Sequence, residues 1–240
     1  MESMHPPSTR RRLLALFRRL LRHFGPQRWW PARTRFEVII GAILTQNTSW
    51  TNVAGAIRAM RAQRLLSARS IDRAPQRTLA RVIRSSGYYN IKATRLKQFT
   101  HFLLTRYHGS LERMFRADLR SLRKELLSVS GIGEETADSI LLYAGGRPIF
   151  VVDAYTRRVL ERHRLISEGS SYGEIQRLFM DHLPLDATLF NEFHALLVAV
   201  GKEFCRKTPR CERCPLRYDL PGGVIPSGGP RAGYTRPRRR

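Results

Sequence analysis

The chain has 240 residues, 42% of them hydrophobic, enough to bury a sizeable core as one large helical domain or two closely packed lobes. Lysine and arginine number 43 against 19 aspartate and glutamate, a formal charge of +24, so a polyanion is the simplest partner. No long apolar run reads as a membrane span, and the start MESMHPPSTRRRLLALFRRLLRHFG lacks the uninterrupted apolar stretch of a secretory signal, which leaves a cytoplasmic, nucleoid-associated protein as the expectation.

Helical patterns are predicted in order at 9–23, 36–46, 52–60, 75–85, 92–107, 119–127, 134–143, 153–163, 172–181 and 187–203. The run Ile149-Phe150-Val151-Val152 has strand propensity, but its brevity and helical flanks predict a buried extended link that holds Asp153 firmly. After Cys214 the pattern fails, and PGGVIPSGGPRAGYTRPRRR is expected to be a disordered basic tail. No internal repeat is evident.

Two apolar-patterned segments in LLSVSGIGEETAD, residues 126–138, are joined by a tight turn. Gly131 and Gly133 permit its backbone path, and the turn would present successive N–H groups at the start of a helix opening with Glu134, Glu135 and Thr136. Such a helix end attracts phosphate, and the basic composition favours that use over an ordinary helical corner. Asp153 follows the apolar link and sits where it would also cap the next helix; the two roles are compatible.

These segments together resemble the helix-hairpin-helix DNA glycosylase superfamily, in its endonuclease III branch, over roughly residues 36–214. FEVIIGAILTQNT at 36–48 resembles the family's first core helix and DNA-inserting loop, SGYYNIKA at 86–93 its internal turn, 126–138 its hairpin, and VVDAYTRRV at 151–159 the segment carrying its acid. The resemblance implies an all-α fold of two lobes with a cleft between them, acting on damaged double-stranded DNA in base excision repair. It implies catalysis by Asp153, through stabilising positive charge that develops as the N-glycosidic bond breaks or orienting the incoming water. It also implies backbone contacts through Gly131, Gly133, Glu134 and Thr136.

Glu135 stands where that branch carries its Schiff-base lysine. A carboxylate cannot form that covalent link, so the departure implies a monofunctional glycosylase that leaves an abasic site for a downstream endonuclease. Lys124, on the preceding helix, is no evident substitute. Glu135 is accordingly read either as a pocket-organising residue or as an exposed helical carboxylate.

Trp29-Trp30-Pro31 before the first core helix resembles the branch's 3-methyladenine glycosylase subgroup. A flipped, electron-deficient alkylpurine can stack on an indole, although the same tryptophans can equally pack the amino-terminal helix. Gln46 and Asn47 match the residues that fill or probe the gap left by a flipped nucleotide, Gln46 being the preferred wedge, with Trp50 close behind. The alternatives are an oxidised-pyrimidine glycosylase with abasic-site lyase activity and a catalytically silent DNA-binding protein.

The segment GKEFCRKTPRCERCPLRYDL holds all three cysteines, Cys205, Cys211 and Cys214, spaced like an iron–sulfur cluster loop. The family's [4Fe-4S] cluster takes four cysteines, and the fourth position here is Leu220. A cluster completed by an outside ligand, a zinc ion with Asp219 and a loop packed without metal all stay open. Arg206, Lys207, Arg210 and Arg213 make the same loop a candidate phosphate contact. The expected organisation is a basic amino-terminal helix and Trp-Trp-Pro segment at 1–35, the glycosylase core at 36–204, the cysteine loop at 205–220 and the tail at 221–240. A monomer is the default expectation.

Overall fold

A computed structural model of the chain describes residues 8–220; the expected basic tail at 221–240 lies outside the described residues. The fold is all-helical, with no strand among the described residues. No described helix is long and apolar enough to cross a membrane. The chain divides into two compact units. One comprises the segment ending at Gln27, Val152–Leu183 and the segment beginning at Phe193; the other comprises Arg28–Val151 and Pro184–Glu192.

The larger unit is built around α2, Arg35–Leu44, whose residues from Glu37 to Leu44 are all buried. Thr34 caps it by accepting from the Glu37 amide at 3.1 Å, and Glu37 reaches back to accept from the Arg33 amide at 2.8 Å. Then come α3 (Trp50–Ala62), α4 (Ala68–Arg73), α5 (Gln76–Val82), α6 (Tyr89–Tyr107), α7 (Leu111–Arg116), α8 (Leu119–Ser128) and α9 (Glu134–Ser139). The expected helix at 75–85 is shorter: it ends at Val82 and passes into a single 3-10 turn, Arg84–Ser86. The expected helix at 134–143 changes character after Ser139 and widens into a π turn, Ile140–Ala144. α4 and α5 pack on α6, and α2 packs on α3 and the π turn. The helices α4 and α7 have no counterpart in the sequence reading, since six residues are too few to display a helical period.

The smaller unit contains α1 (Thr9–Phe24), α10 (Ala154–Arg162) and α11 (Tyr172–Met180). Leu13, Leu16 and Leu20 of α1 are at most 1% exposed, each such side chain contributing about 1.5–3 kcal/mol on burial. Phe193 sits edge-on between Phe17 and Phe179, with centroids 5.3 Å from each. The helix α12, Ala187–Glu203, has its first residues in the larger unit and its remainder in the smaller. Ile149, Phe150, Val151 and Val152 form the expected buried link without regular structure.

Candidate functional site

In the larger unit the hairpin consists of α8, the turn Val129–Gly133 and α9. Gly131 has φ +86°, and a Cβ there would meet Cγ of Arg95 at 2.4 Å, so both conformation and space demand glycine. No side chain caps the amino end of α9. Glu134 and Glu135 are exposed on its first turn. Thr136 is buried, its hydroxyl turned inward to accept from Gln46 Nε2 at 2.8 Å.

Gln46 also donates to the Gly131 carbonyl at 3.1 Å, and Arg95 Nη1 donates to its Oε1. In this conformation Gln46 is therefore a brace between the end of α2 and the hairpin. The exposed residue of that turn is Asn47, in the left-handed region at φ +56°. Lys92 supports the same region from α6, donating to the Leu44 carbonyl at 2.8 Å and the Ser86 carbonyl at 2.6 Å. Burial, followed by the charge of Arg95, pushes the Lys92 ammonium down to about 8. Within α9, fully buried Asp138 accepts from Arg123 Nε at 2.7 Å and Nη2 at 3.0 Å, and Glu134 lies 3.5 Å from the same guanidinium.

The same unit holds an aromatic cluster. Trp30 stands with its centroid 5.2 Å from Trp50, 5.5 Å from Trp29 and 5.1 Å from Tyr143. Its indole lies so close over α2 that a Cβ at Gly41 would come within 3.1 Å of Nε1. Trp50 is half-buried and lines an open groove with Pro31, Arg33, Glu37 and Arg61; Arg61 Nη2 pairs with Glu37 Oε1 at 2.6 Å. The three tryptophans thus come together, and Tyr143 joins them without any local sequence signal.

In the smaller unit Asp153 caps α10, its Oδ1 accepting from the Thr156 amide at 2.7 Å. Oδ2 takes no hydrogen bond from any described residue. Buried His194 places Nε2 3.8 Å from Oδ1. Burial pushes the His194 imidazole down against the opposing pull of Asp153, so the ring is neutral near pH 7. The carboxylate is thereby fixed through one oxygen while the other stays available.

The cysteine loop also belongs to this unit. Cys205, Cys211 and Cys214 are free thiols lining one cavity with Leu216 and Leu220. Burial pushes the Cys214 thiol up to about 11 and raises Cys211 as well. Arg158 and Arg162 of α10 fasten the loop: Arg158 Nε donates to the Cys205 carbonyl at 2.6 Å, and Arg162 Nη1 donates to the Arg206 carbonyl at 2.6 Å and lies 3.2 Å from Cys205 Sγ. Asp219 accepts from Arg12 Nε and Nη2, both at 2.8 Å, and lies 2.9 Å from His163 Nδ1. Burial pushes its carboxyl up, but the hydrogen bonds from His163 and Arg12 outweigh that and hold it below the usual range.

This donor set does not fit the four-thiolate cluster that the loop's spacing suggests. Its fourth corner is the buried hydrocarbon of Leu220, and a guanidinium already sits on Cys205. The zinc alternative with Asp219 fails because Arg12 and His163 hold that carboxylate, and among the described residues no three His, Cys, Asp or Glu side chains are spaced to hold a metal ion. Arg206, Lys207, Arg210 and Arg213 are all exposed.

A family model for the HhH-GPD superfamily of base excision DNA repair proteins matches residues 40–185. The chain belongs to that superfamily. It is 48% identical over 204 residues to a Methanocaldococcus jannaschii protein provisionally named DNA repair glycosylase MJ1434, covering 84% of this chain and 92% of the relative. It is 28% identical over 189 residues to endonuclease III of Sulfolobus acidocaldarius, covering 77% and 81% of the two chains. The solved structure of H. pylori 3-methyladenine DNA glycosylase MagIII bound to 1,N6-ethenoadenine superposes with a TM-score of 0.71 at 30% identity, over 82% of this chain and 98% of that one. This HhH-GPD chain accordingly has a DNA-binding glycosylase fold of the endonuclease III branch, taken broadly.

Proposed function

We propose that the protein is a monofunctional DNA N-glycosylase that excises alkylated purines from duplex DNA and leaves an abasic site. The observation that carries the monofunctional part is Glu135. The hairpin exposes a carboxylate on the first turn of α9, where the resemblance calls for an amine, and a carboxylate offers no Schiff base for β-elimination. Lys92, the amine with a lowered pKa, is 1% exposed and committed to two carbonyls.

The alkylpurine part rests on the cluster of Trp29, Trp30, Trp50 and Tyr143, whose faces suit a flipped, electron-poor base, and on the likeness to a 3-methyladenine glycosylase holding an ethenoadenine. A cationic alkylpurine needs little leaving-group help. The reaction is then hydrolysis: the bond between C1′ and the base nitrogen breaks, the Asp153 carboxylate offsets the charge that develops on the sugar, and water adds to C1′ as its proton passes to solvent or the carboxylate. The hairpin amides and the exposed arginines hold phosphates. Asn47, rather than the braced Gln46, supplies the probing residue. Such an enzyme works among chromosomal DNA in the cytoplasm and hands its product to an abasic-site endonuclease.

A second reading, an oxidised-pyrimidine glycosylase with lyase activity, is favoured by the endonuclease III relative, which covers most of both chains. One assay separates the two. Methylated and oxidised duplexes are incubated with the protein, released bases are identified by mass spectrometry, and strand breaks are scored before and after alkali, with borohydride trapping alongside. The proposal expects 3-methyladenine release, alkali-dependent breaks and no trapped adduct; oxidised-pyrimidine release with a trapped adduct would replace it by the second reading. D153N, which keeps a competent helix cap, is expected to lose about 10²–10³-fold in single-turnover excision while still binding DNA. E135K is expected to gain a borohydride-trappable adduct.

A further inference from the structure

The geometry points to a second DNA-backbone contact on the outer face of α1, continued by the end of the cysteine loop. The helix has one buried apolar stripe, and on the opposite face Arg11, Arg18 and Arg22 recur at i, i+7 and i+11, a row about 16 Å long at about 1.5 Å of rise per residue. All three are exposed, and among the described residues none enters an ion pair. The helix contains no acidic residue, so Arg18 and Arg22 repel each other one turn apart without relief. A helix charged in this way suits an external polyanion.

The charge does not end with the helix. Arg19 lies over the ring of Tyr218 at 5.3 Å and Arg217 over the same ring at 4.5 Å, with Tyr218 68% exposed. Arg12, on the helix's inner side, is bound to Asp219, which fixes α1 to the loop in one register. Row and loop therefore form one continuous cationic surface.

Its chemistry selects nucleic-acid phosphate over an anionic membrane. A helix lying on a membrane inserts an apolar face, and the apolar face of α1 is spent on the protein's own core through Leu13, Leu16 and Leu20. Closely spaced phosphates, about one charge per 1.7 Å of duplex axis, suit a row of guanidinium groups spaced along one helix, which needs no base contact. The surface would hold a flanking or second segment of duplex during the search for damage. The inference rests on DNA as the substrate polymer and not on which base is removed.

The test uses the full chain carrying R11Q/R18Q/R22Q, with R11K/R18K/R22K as the charge-retaining control and circular dichroism as a check on folding. Binding to a long undamaged duplex is measured as salt is varied. Removing three phosphate contacts should flatten the slope of log K against log salt by about 2.7, so that wild type loses about 40-fold more affinity than the glutamine variant between 50 and 200 mM salt. The lysine variant should keep the wild-type slope. Affinity for a short duplex with one abasic-site analogue should stay within about twofold.

An unchanged slope in the glutamine variant overturns the inference. So does a lysine variant that behaves like the glutamine one, or an equal loss on the short duplex, which would assign the row to the lesion footprint. Binding of wild type to phosphatidylserine vesicles that the glutamine variant loses while keeping its DNA slope would assign the row to membranes instead. A protein that releases no base yet shows the slope difference supports this surface and sinks the catalytic reading.

Discussion

The hairpin and the cysteine loop are both irregular backbone segments, and they are held in opposite ways. The hairpin and the end of α2 tied to it are braced by long side chains whose polar ends are largely shut away from water: Gln46 on the Gly131 carbonyl and the Thr136 hydroxyl, Lys92 on the Leu44 and Ser86 carbonyls, and Arg123 on fully buried Asp138. The cysteine loop is held at its rim, by arginines donating to its carbonyls and by the part-exposed pair Arg12–Asp219, around a cavity of thiols and leucines. Buried charge is costly to hold and costlier to strand, so it fixes a backbone within narrow limits. Under the proposed function that precision suits a turn whose amides meet phosphate, whereas a loop offering exposed arginines can tolerate looser fastening.

The contrast can be broken with two alanine variants. D138A removes the fully buried partner of Arg123 and leaves Glu134 3.5 Å from the guanidinium; it is expected to cost about 3 kcal/mol of unfolding free energy, the lower end of the range for removing one partner of a buried pair. D219A removes a carboxylate that is itself 20% exposed, against none for Asp138, so its site already admits water, and about 1–2 kcal/mol is expected. Urea midpoints at one pH measure both. Equal losses, or a larger one for D219A, would mean that the two segments are held alike.

The same contrast explains what the sequence could reveal. The hairpin's glycines, Asp153 as a cap, the buried link at 149–152 and most of the helices rest on local spacing, and local spacing is what a sequence displays. The braces act across long separations: Lys92 bonds a carbonyl 48 residues away and Gln46 a hydroxyl 90 residues away, so neither partner could be read from its neighbours. In this conformation Gln46 is hydrogen-bonded to the hairpin, while Asn47 beside it takes the exposed left-handed position. A hint for Lys92 existed, since Lys92 and Arg95 lie on one face of α6 directly after the SGYYN turn. Nothing local marked Tyr143 or His194. That Leu220 takes the fourth corner of the cysteine cavity was legible in the spacing; that Asp219 is already engaged by Arg12 and His163 required the fold.

The smallest expected effect sharpens the hairpin side of the comparison through pH. Lys92 falls to about 8 in the folded protein from an ordinary 10.5, so between those values the unfolded chain holds a proton that the folded chain has lost, and its contribution to stability rises with pH across that window. Tyr107, which donates to Glu125 at 2.7 Å, is pushed up to about 12, chiefly by burial; the folded chain keeps a proton there that the unfolded chain gives up, and stability falls between about 10 and 12. Cys214, raised to about 11 from 9, opposes Lys92 over part of its range. The Lys92 effect is therefore read as the difference between wild type and K92M in urea midpoints from pH 7.5 to 10.5. That difference should widen in favour of wild type as pH rises, beyond a constant offset from the two carbonyls that K92M leaves without a donor. A constant difference across the window would mean that Lys92 keeps an ordinary pKa, and that the amine beneath the end of α2 is solvated rather than sealed in as a brace.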